Sequence, residues 1–145
     1  SRGAVSLRLP GLFGPPRRGG LLYNAAAAFL RGSDFQLFAA PTIWAPLDVR
    51  DAARVMVDAA LLDPFMSRTT LNVGYLGQFG VRAVVSNIAA LCDVDWLTGD
   101  ASERLFEMDL RALHETLGPI PHGFDERLHS LVDYVRAEIQ DKVHD

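Results

Sequence analysis

Ala4-Val5-Ser6-Leu7-Arg8-Leu9-Pro10-Gly11-Leu12-Phe13-Gly14-Pro15 is the stretch whose reading decides the fold. Apolar residues at Ala4, Val5, Leu7 and Leu9 describe a strand, and the strand runs straight into a Pro10-Gly11 turn. Gly14-Pro15-Pro16 then forbids an immediate helix, because proline lacks the N–H that a helix interior needs. The first helix is expected after that loop, at Leu21 to Leu30, closed by Arg31-Gly32. A short alternating strand is expected at Phe35-Gln36-Leu37-Phe38, and a second extended segment at Ile43-Trp44-Ala45-Pro46-Leu47. Asp48, with Asp51 three residues on, reads as the cap of an amphipathic helix over Val49 to Leu62. Its apolar stripe is read through Ala53, Val57 and Ala60-Leu61, and Asp63-Pro64 ends it.

Taken together, these residues resemble the late parallel strand, and the elements after it, of the extended short-chain dehydrogenases, the NAD-dependent epimerase/dehydratase family. The resemblance implies that Thr69 to Gly74 is the next parallel strand and Val81 to Leu91 the helix after it. It further implies an Asp-started helix from Met108-Asp109-Leu110-Arg111 to Leu117-Gly118, and a closing helix from about Phe124 to Ile139. It covers nearly all of the chain and rests on the order of the elements. In the family the opening strand lies midway along a longer enzyme. With no initiator Met, the chain is expected to be the C-terminal, substrate-binding half, a single domain over residues 1–145. The implied fold class is α/β: a fragment of a Rossmann-like extended short-chain dehydrogenase with few, mostly parallel strands and helices packed on them. The strands at 4–9 and 69–73 should be parallel neighbours or near neighbours in a small sheet, with helices 49–62 and 81–91 against it.

The family's chemistry needs a Tyr as acid or base and a Lys four residues later that lowers its pKa. Here Tyr23, Tyr75 and Tyr134 are followed at that spacing by Ala27, Phe79 and Glu138, and the only Lys is Lys142. No catalytic residue is therefore assigned. The N-terminal strand–glycine loop–helix unit for the cofactor's pyrophosphate is also missing, so NAD is the cofactor of the intact enzyme, bound weakly or not at all by this chain. Gly74-Tyr75-Leu76-Gly77-Gln78-Phe79-Gly80 does fit the GxxGxxG spacing that brings backbone close to a pyrophosphate. Asp93 and Asp95 stand where a ribose-binding acid could follow. The alternative is a plain strand-to-helix connection.

The resemblance implies that Pro10, Gly11 and Leu12 line the nicotinamide end. It also places Arg17, Arg18, Gly19, Gly20 and Leu21 opposite the diphosphate of a nucleotide-sugar. Arg17-Arg18-Gly19-Gly20 precedes a helix, where free N–H groups and the macrodipole favour an anion; the alternative is a solvated basic loop. The loops 15–20 and 97–104 are expected to be the least ordered. Trp44 stands where the family carries a phosphate-binding Arg, and it either stacks on a base or sugar or fills core. Gly11 replaces an Asn that faces the sugar, and Arg50 is new within the Asp48-Val49-Arg50-Asp51 stretch.

Composition narrows the classes further. A hydrophobic content of 49% over 145 residues supports a real core. A formal net charge of −4 offers no electrostatic footprint for nucleic acid or an anionic membrane. The longest apolar run, Leu21 to Leu30, is too short to span a bilayer. A single Cys, Cys92, excludes an internal disulfide and fits a cytoplasmic location. The four His residues have no metal-ligand spacing, so no metal is assigned. Expected partners are a nucleotide-sugar and the missing N-terminal half. A homodimer is also expected, covering either the bare edge of the first strand or the Leu21–Leu30 helix. A non-catalytic binding or regulatory module derived from the family is the alternative function.

Overall fold

A computed structural model describes residues 3–37, 43–63, 69–96 and 103–144. The opening stretch divides into two strands, β1 (Val5–Arg8) and β2 (Gly11–Phe13), broken at Leu9-Pro10. The remaining elements follow in chain order: α1 (Leu21–Leu30), β3 (Pro46–Asp48), α2 (Val49–Ala60), β4 (Thr69–Asn72), β5 (Gln78–Phe79), α3 (Val81–Leu91), β6 (Phe106–Glu107), α4 (Arg111–Thr116) and α5 (Phe124–Asp141).

β1 pairs with β4 in parallel, Val5 beside Thr69 and Arg8 beside Asn72. β2 pairs with β3 in parallel, Gly11 beside Pro46 and Phe13 beside Asp48. β5 and β6 form a short antiparallel pair. The architecture is thus α/β with mostly parallel strands, as the resemblance implies, and the expected β1–β4 neighbours are parallel. The helices sit differently from expectation. α3 packs chiefly on α1 and α5, and α2 on β2 and β3. Val84, Val85, Ile88 and Ala89 therefore meet Leu22, Ala25, Ala26 and Phe29, together with Leu128, Leu131 and Val135, in one apolar cluster.

Several local expectations are corrected. Residues 35–37 are irregular and Phe38 lies outside the described residues. Phe35 packs edge-on against Phe29, ring centroids 5.7 Å apart, and its carbonyl accepts from Trp96 Nε1 at 2.9 Å. That tertiary partner replaces a strand neighbour. Of Ile43 to Leu47, only Pro46 and Leu47 enter β3, where proline can start a strand without breaking a ladder. α2 ends at Ala60 and presents the opposite face from the one expected. Asp51, Ala52 and Val55 are buried, whereas Ala53, Val57 and Leu61 are exposed. Counting apolar residues alone turns the helix outward-in, because a paired carboxylate occupies its inner face. α4 has only six residues, introduced by Asp109, whose carboxylate accepts from Arg111 N at 3.1 Å. Leu22, Ala25, Ala26 and Phe29 of α1 are covered by α3 and α5, so that helix has no apolar face left for a dimer.

Candidate functional site

β2 and β3 begin beside the N-terminus of α1, and the surface there holds two adjoining cavities. The larger, about 550 Å³, is lined by Arg8, Leu9, Pro10, Gly11, Ile43 and Trp44 on one side, with Asn72 and Phe106 to Asp109 on the other. The smaller, about 190 Å³, is lined by Gly11, Leu12, Arg17, Gly19, Gly20, Leu21 and Trp44. Gly11 and Trp44 border both. A Cβ added at Gly11 would meet nothing nearer than the Ala45 carbonyl at 3.8 Å, so there is open room beside Gly11 where the two cavities adjoin. Eight of the nine residues assigned from the sequence thus converge on one cleft.

Arg18 is the ninth, and it turns away. Its guanidinium pairs with Glu138 of α5, and its Nε lies 3.5 Å from Tyr134 Oη. Arg17 stays at the cleft, where Nη1 donates to the Leu12 carbonyl. Its guanidinium lies about 3.5 Å from where a Cβ on Gly20 would stand, close to the start of α1. Gly20 caps that helix at φ +85°, a conformation that leaves the first-turn N–H groups clear of any side chain. The loop 15–20 is not loose: Arg17 N donates to Gly14 O at 3.0 Å, and Tyr134 Oη to Pro16 O at 3.4 Å. Residues 97–102 lie outside the described residues.

In the larger cavity Arg8 is exposed, while Asp109 is bound by Arg111 at 2.8 Å. The Arg111 guanidinium, aided by its backbone N–H, holds the Asp109 carboxyl down to about 2. Asn72 Nδ2 donates to the Asp109 carbonyl at 3.1 Å, tying the far wall to β4. Trp44 is half-buried, packs against the core and borders both cavities.

The GxxGxxG segment resolves differently. Gly80 does cap α3, but the Glu103 carboxylate already sits on that N-terminus, accepting from Arg82 N at 2.8 Å and Ala83 N at 3.1 Å. A Cβ at Gly80 would collide with it. The chain's own carboxylate stands where a phosphate would, and Asp93 follows the end of α3 at φ 56°, not the end of a second strand. This is the strand-to-helix connection of the plainer reading.

At the other end of the β2–β3 pair, where Phe13 stands beside Asp48, lies a buried ionic network that no sequence motif announces. Asp51 is 1% exposed and receives Arg127 Nε and Nη2 at 2.9 and 2.7 Å, with Tyr75 Oη donating at 2.6 Å. Burial pushes the Asp51 carboxyl up, but the hydrogen bonds from Arg127 and Tyr75 outweigh it and leave it below its ordinary range. The same tyrosine oxygen accepts from Asp48 N at 3.1 Å, and burial together with Asp51 raises the phenol. Asp48 caps α2 through Arg50 N and is paired with the Arg50 guanidinium. The only early sign of it is an Asp at a helix position otherwise facing core.

These features describe an α/β domain with a cleft between the starts of β2 and α1. No family model matches the chain, and no curated protein matches it in sequence. Among solved structures, the fold is that of NAD-dependent sugar-nucleotide enzymes. The UDP-glucose 4-epimerase of Thermotoga maritima, solved with UDP-glucose, is 19% identical and superposes with a TM-score of 0.72 over 93% of this chain and 46% of the epimerase. MoeE5, solved with UDP-glucose and NAD, is 24% identical at a TM-score of 0.74, covering 93% of this chain and 48% of MoeE5. The dTDP-glucose 4,6-dehydratase of Bacillus anthracis, solved with NAD, is 16% identical at 0.72 over 94% and 45%. The chain therefore spans about half the length of the enzymes it resembles. Among the described residues, no helix is long and apolar enough to cross a membrane.

Proposed function

We propose that residues 1–145 form the substrate-binding domain of an NAD-dependent nucleotide-sugar epimerase or dehydratase of the cytoplasm. The observation that carries this reading is the joined cleft at Gly11 and Trp44. It offers an anion-sized recess at the start of α1 beside Arg17 and a larger recess fit for a sugar or base. Trp44 supplies a ring face between them, and Pro10, Gly11 and Leu12 border the nicotinamide end. NAD, when bound, accepts and returns hydride at the sugar; this chain's residues orient the sugar-nucleotide. The α3 N-terminus, filled by Glu103, does not fit the cofactor's pyrophosphate, so the cofactor's main site belongs to another half.

That half has a place to dock. On β1, Ala4 and Arg8 carbonyls accept from Thr69 and Val73 of the β4 side, so Val5 and Leu7 turn their N–H and C=O to an edge that no strand pairs among the described residues. Beside it a groove of about 410 Å³ is lined by Val5, Leu7, Met56, Ala59, Ala60 and Leu62. Where no cofactor half covers this edge, two copies of the chain pair across it. Light scattering that shows a clean monomer at micromolar concentration would refute the dimer.

Calorimetric titration with UDP and UDP-glucose tests the site. Binding that weakens in both Arg17→Gln and Trp44→Ala is expected; absence of binding by the intact chain refutes the reading. The second reading, a non-catalytic module, is favoured by the engagement of Tyr75 with Asp51 and of Tyr23 with Glu138. Supplying a cofactor-binding half in trans separates the two, since only an enzyme domain gains activity.

A further inference from the structure

Glu138 lies on the face of α5 turned toward the 15–20 loop, away from both cavities, and its side chain is only 12% exposed. Two groups converge on its carboxylate. Arg18, from the loop, pairs with Oε1, and Tyr23 Oη, from the first turn of α1, donates to Oε2 at 2.7 Å. One turn earlier on α5, Tyr134 Oη reaches both Arg18 and the Pro16 carbonyl. A single carboxylate thus ties Arg18, the neighbour of Arg17, to Tyr23 across Gly19 and Gly20. That segment contains two positive-φ glycines, Gly19 at +102° and Gly20 at +85°, and the Cβ of neither position would touch a neighbour closer than 3.5 Å. The turn from Gly14 to Arg17 closes on itself through Arg17 N and the Gly14 carbonyl, while the Arg18 to Gly20 stretch after it is held from α5.

We propose that Glu138 is a positioning residue for the anion recess: through Arg18 and Tyr23 it fixes the loop that presents Arg17 and the open start of α1. This rests on the nucleotide-sugar reading, which explains why an arginine pair next to a helix N-terminus is split between two tasks. Arg17 faces the ligand. Arg18 is spent on the scaffold. Hydrogen bonding from Tyr23, with Arg18 and Tyr134 adding to it against the cost of burial, keeps the Glu138 carboxyl below its ordinary range. The holding charge is therefore present at neutral pH.

The test uses Glu138→Gln in the full chain, with two readouts. Trypsin cuts after Arg17 and Arg18, and cleavage there should be about tenfold faster in the variant because the loop opens more often. UDP affinity should fall about three- to tenfold, by the fraction of molecules whose loop is in place. Cleavage at the wild-type rate overturns the proposal, and so does released cleavage with unchanged UDP affinity. If Glu138→Gln does not fold, Arg18→Gln, on a side chain 70% exposed, repeats the affinity measurement, and wild-type affinity there overturns the proposal. An intact chain that binds no UDP refutes the nucleotide reading, and this role falls with it; wild-type binding with unaffected variants refutes this role alone.

Discussion

Replacing Asp51 by Ala should cost this fold more than any change on its surface. Asp51 is 1% exposed, and the side chain of its partner Arg127 is 11% exposed. Removing one member of a buried pair leaves the other charge uncompensated, a loss of about 3–5 kcal/mol. The Tyr75 hydroxyl would also lose its acceptor, worth about 1–3 kcal/mol, although the two losses share one network and do not add in full. A net of about 4 kcal/mol is a large part of the roughly 5–15 kcal/mol that stabilises a domain of this kind. At about 3 °C per kcal/mol for this size, the melting midpoint should drop by roughly 10 °C. Urea unfolding followed by circular dichroism measures it, with the midpoint moving and the slope unchanged. Arg127→Met should cost a similar amount, and the double variant much less than the sum. A loss under about 1 kcal/mol, or additive single losses, would refute the argument that these groups act as a buried unit.

The same network sets an acid limit. Since the Asp51 carboxyl is lower in the folded chain than in the unfolded one, its stabilisation is complete above the ordinary carboxylate pKa, about 4, and fades as pH falls through the folded value. The stability gap between wild type and Asp51→Asn should therefore shrink below about pH 4, and a gap constant down to pH 2 would contradict it. Gly14→Ala should destabilise strongly, because Gly14 has φ +96° and a Cβ would collide with the buried Asp48 carboxylate; a melting point at the wild-type value would show that the turn can move aside. Glu103→Ala removes the cap of α3 and should cost about 1 kcal/mol in urea unfolding, with no cost if solvent serves as well. Calorimetry with NAD should give weak binding or none. Tight binding abolished by Gly77→Val, at a position with φ +126°, would instead return the 74–80 loop to a cofactor role.

Much of this molecule is written in local chemistry. Pro10-Gly11 and Gly14-Pro15-Pro16 separate strand from loop, the Leu21–Leu30 and Val81–Leu91 helices fall within the bounds read from their residues, and Asp48 caps α2 as its position suggests. These features depend on backbone dihedrals and neighbours a few residues away. The cleft residues are named through the family resemblance that the order of elements carries, not through any local rule. What the sequence could not state is which charged groups turn inward. Asp51 lies buried on α2 because Arg127, 76 residues later, meets it there; Arg18 leaves the cleft because Glu138, on the last helix, binds it. Glu103 closes the GxxGxxG helix terminus in the same way. A carboxylate reads as surface until its partner is known, since burial is tolerable only when paired, and that pairing exists only in three dimensions.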